Sequence, residues 1–351
     1  MVFFVERQPC PHSRDDSLET PTSQSPASRP PWRRWMSVTL RVVIGLAVVV
    51  GVGRRVWLER TKLTAYNLRP VPSWLAASGV TYLAGLSTCA VFWWMAMRDR
   101  GARPRLPTTL AAYFAGHLGK YVPGKGLVVI VRAGMMRDSG IGVATAAITC
   151  AHETVLMMAT GALVSLAILP AVAVPHRGYL LLCAAALTAG LGFFSLPPVA
   201  TRLGRLVTRP FGTGTYEESH TSRWTTVLLG AAIIAVGWLL MGLSLAAVLA
   251  SMNDLSTIVS QFGAIGAVGL LTAVVALATV GGFVSMLPGG LGLREWVLVE
   301  TLAPVLGSDG VAAATVAAVL LRMVWLMAEA AGTGLFWMLD RLCKRRPAET
   351  N

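Results

Sequence analysis

Met286-Leu287-Pro288-Gly289-Gly290-Leu291-Gly292-Leu293-Arg294-Glu295 breaks an otherwise apolar part of this chain, and a second break reads Tyr121-Val122-Pro123-Gly124-Lys125-Gly126 and runs on to Arg132. Proline and glycine interrupt helices, and irregular backbone at membrane depth survives only where protein or a water-filled cavity satisfies its polar groups. Paired breaks at matching places in two halves are what transporters built from repeats show around their binding sites. The two turns therefore predict an all-α polytopic membrane protein with an internal repeat.

Working outward, the apolar segments run roughly 36–57, 74–97, 108–118 leading into 127–135, 140–169, 178–196, 224–250, 262–287 and 310–339. That is about 6–8 transmembrane helices, since a span needs about 20 residues, and 108–118 and 127–135 are each too short to cross alone. With 54% hydrophobic and 13% charged residues, the chain is too apolar and too poor in charge for a soluble globular protein. The apolar runs are continuous and not alternating, which disfavours a transmembrane barrel. The net charge of +13 does not point to nucleic acid, because the basic residues cluster beside the apolar runs. There they fix orientation and meet anionic headgroups of membrane lipids. Residues 1–35 read as a disordered cytosolic tail rich in Pro, Ser, Thr and Arg, and 341–351 as a basic cytosolic tail. Met1-Val2-Phe3-Phe4-Val5 is too short for the apolar core of a signal peptide.

Basic loops set the orientation. Arg98, Arg100, Arg103 and Arg105 mark one cytoplasmic loop, Arg202, Arg205, Arg209 and Arg223 a second, and Arg341, Lys344, Arg345 and Arg346 a third. Loops 170–177 and 251–261, nearly or wholly free of Lys and Arg, face outward. Counting crossings between these loops makes 108–135 a re-entrant hairpin from the cytoplasmic side and 262–306 a second from outside. On this count both termini are cytoplasmic, and Arg54, Arg55, Arg60, Lys62 and Arg69 fall outside, in an amphipathic segment at the interface. The repeat units, about 108–169 and 262–339, are then inverted. Gly140, Ala144, Thr145, Ala147, Leu156 and Met157 recur at one constant offset as Gly310, Ala314, Thr315, Ala317, Leu326 and Met327.

Charges inside the apolar runs are the site candidates: Arg132, Glu153, Arg294, Glu295, Glu300, Arg322 and Glu329. Gly289, Gly290 and Gly292 let backbone approach a ligand, and the half-helix they open presents free N–H groups to an anion. Arg294 adds a fork of donors suited to phosphate, and Arg132, after Pro123, Gly124 and Gly126, plays a mirrored part or else marks a membrane edge. Glu295 reads either as a site residue or as a helix N-terminal charge. Arg322 and Glu329 share a helix face and form a pair or share a partner such as Glu295. His152 reads as a hydrogen-bonded core residue, and Trp93-Trp94 as an interfacial belt ahead of Arg98. The five cysteines have no metal-ligand spacing and read as packing residues.

Enzyme signatures fail. His152-Glu153 has Leu156 where a metalloprotease helix needs its second histidine, and Gly124-Lys125-Gly126 lacks the Ser or Thr of a nucleotide loop. No cofactor site and no catalytic motif is read from the chain.

Lys120-Tyr121-Val122-Pro123-Gly124-Lys125-Gly126 with Arg132, and Pro288 to Glu295 with Arg322, resemble the two signatures of the flippase-like membrane domain of lysylphosphatidylglycerol synthases. The resemblance covers approximately residues 36–340. It implies a translocator of anionic or aminoacylated phospholipid, or of a polyprenyl-phosphate-linked lipid, in a bacterial plasma membrane. No soluble aminoacyltransferase domain follows the last span, so lipid synthesis is not expected. The Glu-Arg pair common on the helix after the first turn in that family reads Glu153-Thr154 here. Two other expectations stand beside translocation: a non-transporting partner of a glycosyltransferase that uses a lipid carrier, and a membrane lipid-phosphate transferase.

Overall fold

The structure is a computed structural model, and it describes residues 70–121, 126–171, 177–199, 202, 223–285, 288–290 and 292–345. The expected tail 1–35, the first span 36–57, the basic stretch 54–69, Pro123, Gly124, the loop residues Arg205 and Arg209 and the end beyond Arg345 lie outside them. Helix is the dominant structure of the described residues, with no strand among them. In chain order the helices are α1 Pro72–Asp99, α2 Leu106–Leu118, α3 Gly126–Arg137, α4 Val143–Ile168 and α5 Arg177–Ser195. They continue as α6 Trp224–Ser251, α7 Leu255–Val284, α8 Leu293–Leu302 and α9 Gly310–Arg345. Short 3₁₀ turns at Gly119–Tyr121 and Pro288–Gly290 connect α2 to α3 and α7 to α8.

Six of these helices, α1, α4, α5, α6, α7 and α9, are long and apolar enough to cross a membrane. At about 1.5 Å per residue even the shorter of them reach a hydrocarbon core of roughly 30 Å. Large apolar side chains such as Ile265 (92% exposed) and Met327 (71% exposed) point away from the protein. Water would penalise that surface and lipid does not. The chain is a multi-pass α-helical membrane protein.

Local chemistry sets the helix ends. Pro72 and Pro107 stand in the first turns of α1 and α2, where a missing N–H costs nothing. Past the end of α1, Gly101 adopts φ 80°, and the N–H groups of Gly101 and Ala102 bond back to Arg98 and Met97.

Two halves of like design pack face to face. α1 and α6 are both 28 residues long and run antiparallel along their whole length. The Val71 N–H donates to the Ser251 carbonyl (3.0 Å), Ser78 Oγ meets Ser244 Oγ (2.8 Å), and the Arg223 N–H donates to Asp99 Oδ2 (2.7 Å). Rising numbers on α1 thus meet falling numbers on α6. At the crossing, Gly85 and Gly237 stand at the same place in their two helices. A Cβ on either would lie 2.8 Å from the other's carbonyl oxygen, so the backbones touch where only glycine fits. The neighbouring contacts are reciprocal: Ser78 faces Ser244, and Phe92 fills the notch over Gly230. A pseudo-two-fold axis passes between Gly85 and Gly237.

The other helices obey the same symmetry. Within the halves α3 packs on α4 and α8 on α9, while between them α2 packs on α9 and α7 on α4. The repeat therefore begins one helix earlier in each half than the 108–169 and 262–339 units read from sequence. The arms also differ in length. α2 and α3 have 13 and 12 residues, whereas α7 has 30 and is bent at Gly263 (φ 68°), so the second pair is no mirror copy of a short hairpin. α9 continues to Arg345, so the first part of the expected basic tail, 341–345, is helical. An Asp340–Lys344 pair (2.6 Å), Arg341 over the Trp337 ring and the Thr108–Asp340 bond (2.5 Å) hold that last turn.

The basic loops gather at one end. Arg105 Nη2 donates to the Cys343 carbonyl (3.1 Å), Thr108 reaches Asp340, and Arg223 lies beside Asp99. The loop after α1, the start of α6 and the end of α9 therefore share a face of the molecule.

Candidate functional site

The second glycine turn is built for close approach. Gly289, Gly290 and Gly292 have φ of 60°, 69° and 85°, a region in which side-chain-bearing residues are strained. Gly290 rests on α7, where a Cβ would lie 3.0 Å from the Gly282 Cα. The Gly292 N–H donates to Glu295 Oε2 (2.7 Å), so Glu295 caps its own helix from within. Its other oxygen receives Arg322 from α9 in an ion pair. Arg322 and Glu329 do not pair, although they share a helix face.

In the first half the charges are exchanged. Arg132 on α3 donates from Nη1 to Glu153 Oε2 on α4 (2.9 Å). Both side chains are 2% exposed. Tyr113 donates to Glu153 Oε1 (3.0 Å), and the guanidinium lies 3.7 Å over the Tyr113 ring and 5.4 Å from the Trp93 ring. Gly116 makes room, since a Cβ there would fall 2.5 Å from Arg132 Cγ. Each half thus ties its short arm to its long helix by one ion pair. Arg132 is buried, so it marks no membrane edge, and its charge is already taken up by Glu153. Trp93 is likewise buried, donating to Thr149 Oγ1 (3.0 Å), which corrects its reading as a belt residue. Only Trp94, bonded to the Pro104 carbonyl and covered by Arg98, fits that reading.

A third cluster joins the halves. Lys120 donates to Glu329 Oε1 (2.5 Å) and lies 2.8 Å from His117 Nε2, and the Tyr82 hydroxyl donates to the same Glu329 oxygen. Tyr82 stacks on Trp325 (4.0 Å between ring centroids), whose Nε1 donates to Ser244 Oγ (2.9 Å). Over the Trp325 ring, 4.2 Å from its centroid, lies the Arg294 guanidinium.

These clusters surround a cavity of about 350 Å³ lined from every described long or short helix except α5. Lys120, Arg132 and Arg294 face it with Glu153, His117, Tyr82, Tyr113, Thr154 and Thr279, and Gly289 and Gly290 form part of its wall. The rest is apolar, including Leu86, Met157, Met158, Met241 and Phe283. The two turns meet here: Cα atoms of Gly119–Tyr121 come within 8 Å of Pro288–Gly290. Of the residues singled out from sequence, Arg294, Arg132, Glu153, Gly289 and Gly290 line the cavity, while Arg322, Glu295 and Gly292 stand behind it as supports. Gly126 is exposed with open space around it. His152, 3% exposed, donates from Nε2 to the Ser195 carbonyl (3.0 Å), as a core histidine does.

Sequence reasoning missed Lys120, His117, Tyr82, Tyr113 and Thr279 as lining residues. Lys120 carried a signal, as one of two lysines between two apolar arms, and the aromatic residues carried none. No group of three or more metal-ligating side chains occurs among the described residues. Comparison with protein-family models finds no match to this chain, and comparison with curated proteins finds none either.

Proposed function

We infer that this protein moves a phosphate-bearing lipid between membrane leaflets, with the headgroup held between Lys120 and Arg294 and the acyl chains along the apolar wall. One observation carries the reading. Cations from the two glycine-turn regions, one in each half, face a single cavity whose remaining wall is mostly apolar and rich in methionine. A soluble anion has no use for that wall, and an apolar ligand has none for the arginine fork. The inverted pairing of the halves supports alternating access around a central site. The shared basic end is then cytoplasmic, in a bacterial plasma membrane.

A transferase needs a free base or nucleophile. Both oxygens of Glu153 accept hydrogen bonds, from Tyr113 and from Arg132 and Thr154, and both of Glu295, from Arg322 and Gly292. Neither of the two carboxylates read from the sequence as transferase bases is therefore free.

Purified protein in liposomes carrying fluorescent phosphatidylglycerol or a polyprenyl phosphate should speed transfer between leaflets without changing the lipid covalently. Transfer no faster than in protein-free liposomes, across both lipids, would sink the reading. We further propose that α2 and α3 re-enter the membrane from the cytoplasmic side, as each is about 20 Å long or less. Cysteines placed after Arg103 and near Arg137 should then react with impermeant reagents from the same face. Labelling near Arg137 from outside alone would make the pair a crossing.

A further inference from the structure

We propose that Glu329 is a proton-binding site coupled to the lipid, taking up one proton whenever an anionic headgroup draws Lys120 away from it. This rests on the lipid-translocation reading and adds the ion to which the movement is coupled.

Glu329 is 0% exposed. Its Oε1 carries the whole burden of pairing, accepting from Lys120 and Tyr82 with His117 Nε2 at 3.6 Å, while its Oε2 is buried without a hydrogen-bond partner. Lys120 serves two sides at once, since it also lines the cavity. His117 Nε2 accepts from Lys120, which leaves the ring neutral with its proton on Nδ1. Other charged and titratable groups facing the cluster are Tyr113 from α2, Arg132 from α3, Arg294 from α8 and Arg322 from α9, the last held by Glu295 of α8. α6, which also packs on α9, has no ionisable side chain.

A carboxylate buried this deeply stays charged only while a cation compensates it. A phosphate that engages Lys120 competes directly for that cation. The carboxylate left behind then gains a proton at Oε2, forming an O–H bond at the oxygen that has no partner, while Oε1 keeps the Tyr82 hydroxyl. One negative charge and one proton enter together, so the loaded site has the same net charge as the empty one. Release reverses both. Lys120 belongs to the turn region of one half and Glu329 to the long helix of the other, so each cycle also unties and reties the two units.

The test uses the full chain in weakly buffered micelles, titrated with dihexanoyl-phosphatidylglycerol beside a pH-indicator dye. That phosphodiester does not titrate near neutrality, so any proton taken up goes to the protein. About one proton should be taken up per lipid bound, falling to near zero at matched occupancy in Glu329→Gln. Lys120→Gln, which leaves Glu329 protonated beforehand, should abolish uptake too and serves if Glu329→Gln does not fold. Lipid binding to the unaltered protein without proton uptake overturns the proposal and leaves translocation standing. Uptake that persists in both variants overturns the assignment to Glu329. Binding of neither this lipid nor a short polyprenyl phosphate removes the translocation reading and this proposal with it.

Discussion

Arg294→Ala is expected to lower lipid translocation by about 10- to 100-fold, the loss of hydrogen bonds to a charged group worth roughly 1.5–3 kcal/mol, while the protein stays folded. The guanidinium lines the cavity at the head of α8 and lies over the Trp325 ring. Its neighbour Glu295 is occupied by Arg322 and the Gly292 N–H, two contacts of the turn that do not involve Arg294. Arg294→Lys keeps the charge but loses the planar fork and the stack, and should recover only a minor part of the rate. Translocation in liposomes and thermal unfolding in micelles, measured on the same variants, separate function from folding. A stable Arg294→Ala protein with full translocation would refute the headgroup grip.

The opposite pattern is expected at the other arginine. Arg132→Ala and Glu153→Gln should each destabilise the protein by about 3–5 kcal/mol, because each leaves one charge buried and uncompensated. Both side chains are 2% exposed, and their bond joins α3 to α4. Removing both, as Arg132→Met with Glu153→Leu, should cost much less than the two single changes together, since no orphan charge remains. Unfolding of the four proteins in mixed micelles gives the coupling directly. Single changes costing under about 1 kcal/mol would show that the pair does not hold the hairpin in place.

The two arginines looked alike in sequence. Each follows a glycine-rich break, and each has the sequence context of an anion contact. What separates them is the residue opposite: Glu153 comes from the next helix, whereas Arg294 meets Trp325 of α9. Similarly, Lys120 takes its role from Glu329, which α9 brings against it. Trp93 and Trp94 are adjacent in the chain, yet only the second lies where the interfacial pattern places it.

The sequence by itself determined the membrane class, most of the described helices to within a few residues and the two glycine turns, and it pointed to a repeat. These follow from local properties: an apolar run must be a helix in lipid, and proline and glycine act where they stand. It also predicted an inversion, since basic loops bias which way each span runs. Only the tertiary structure decided the partners: Arg132 with Glu153, Glu295 with Arg322, Lys120 with Glu329, and Gly85 against Gly237. The physical reason is that these helices are apolar nearly all round. A helix in water announces its buried face by its polar side, whereas one in lipid has no such asymmetry to read. Which face meets which neighbour is then settled by packing across residues far apart in the chain.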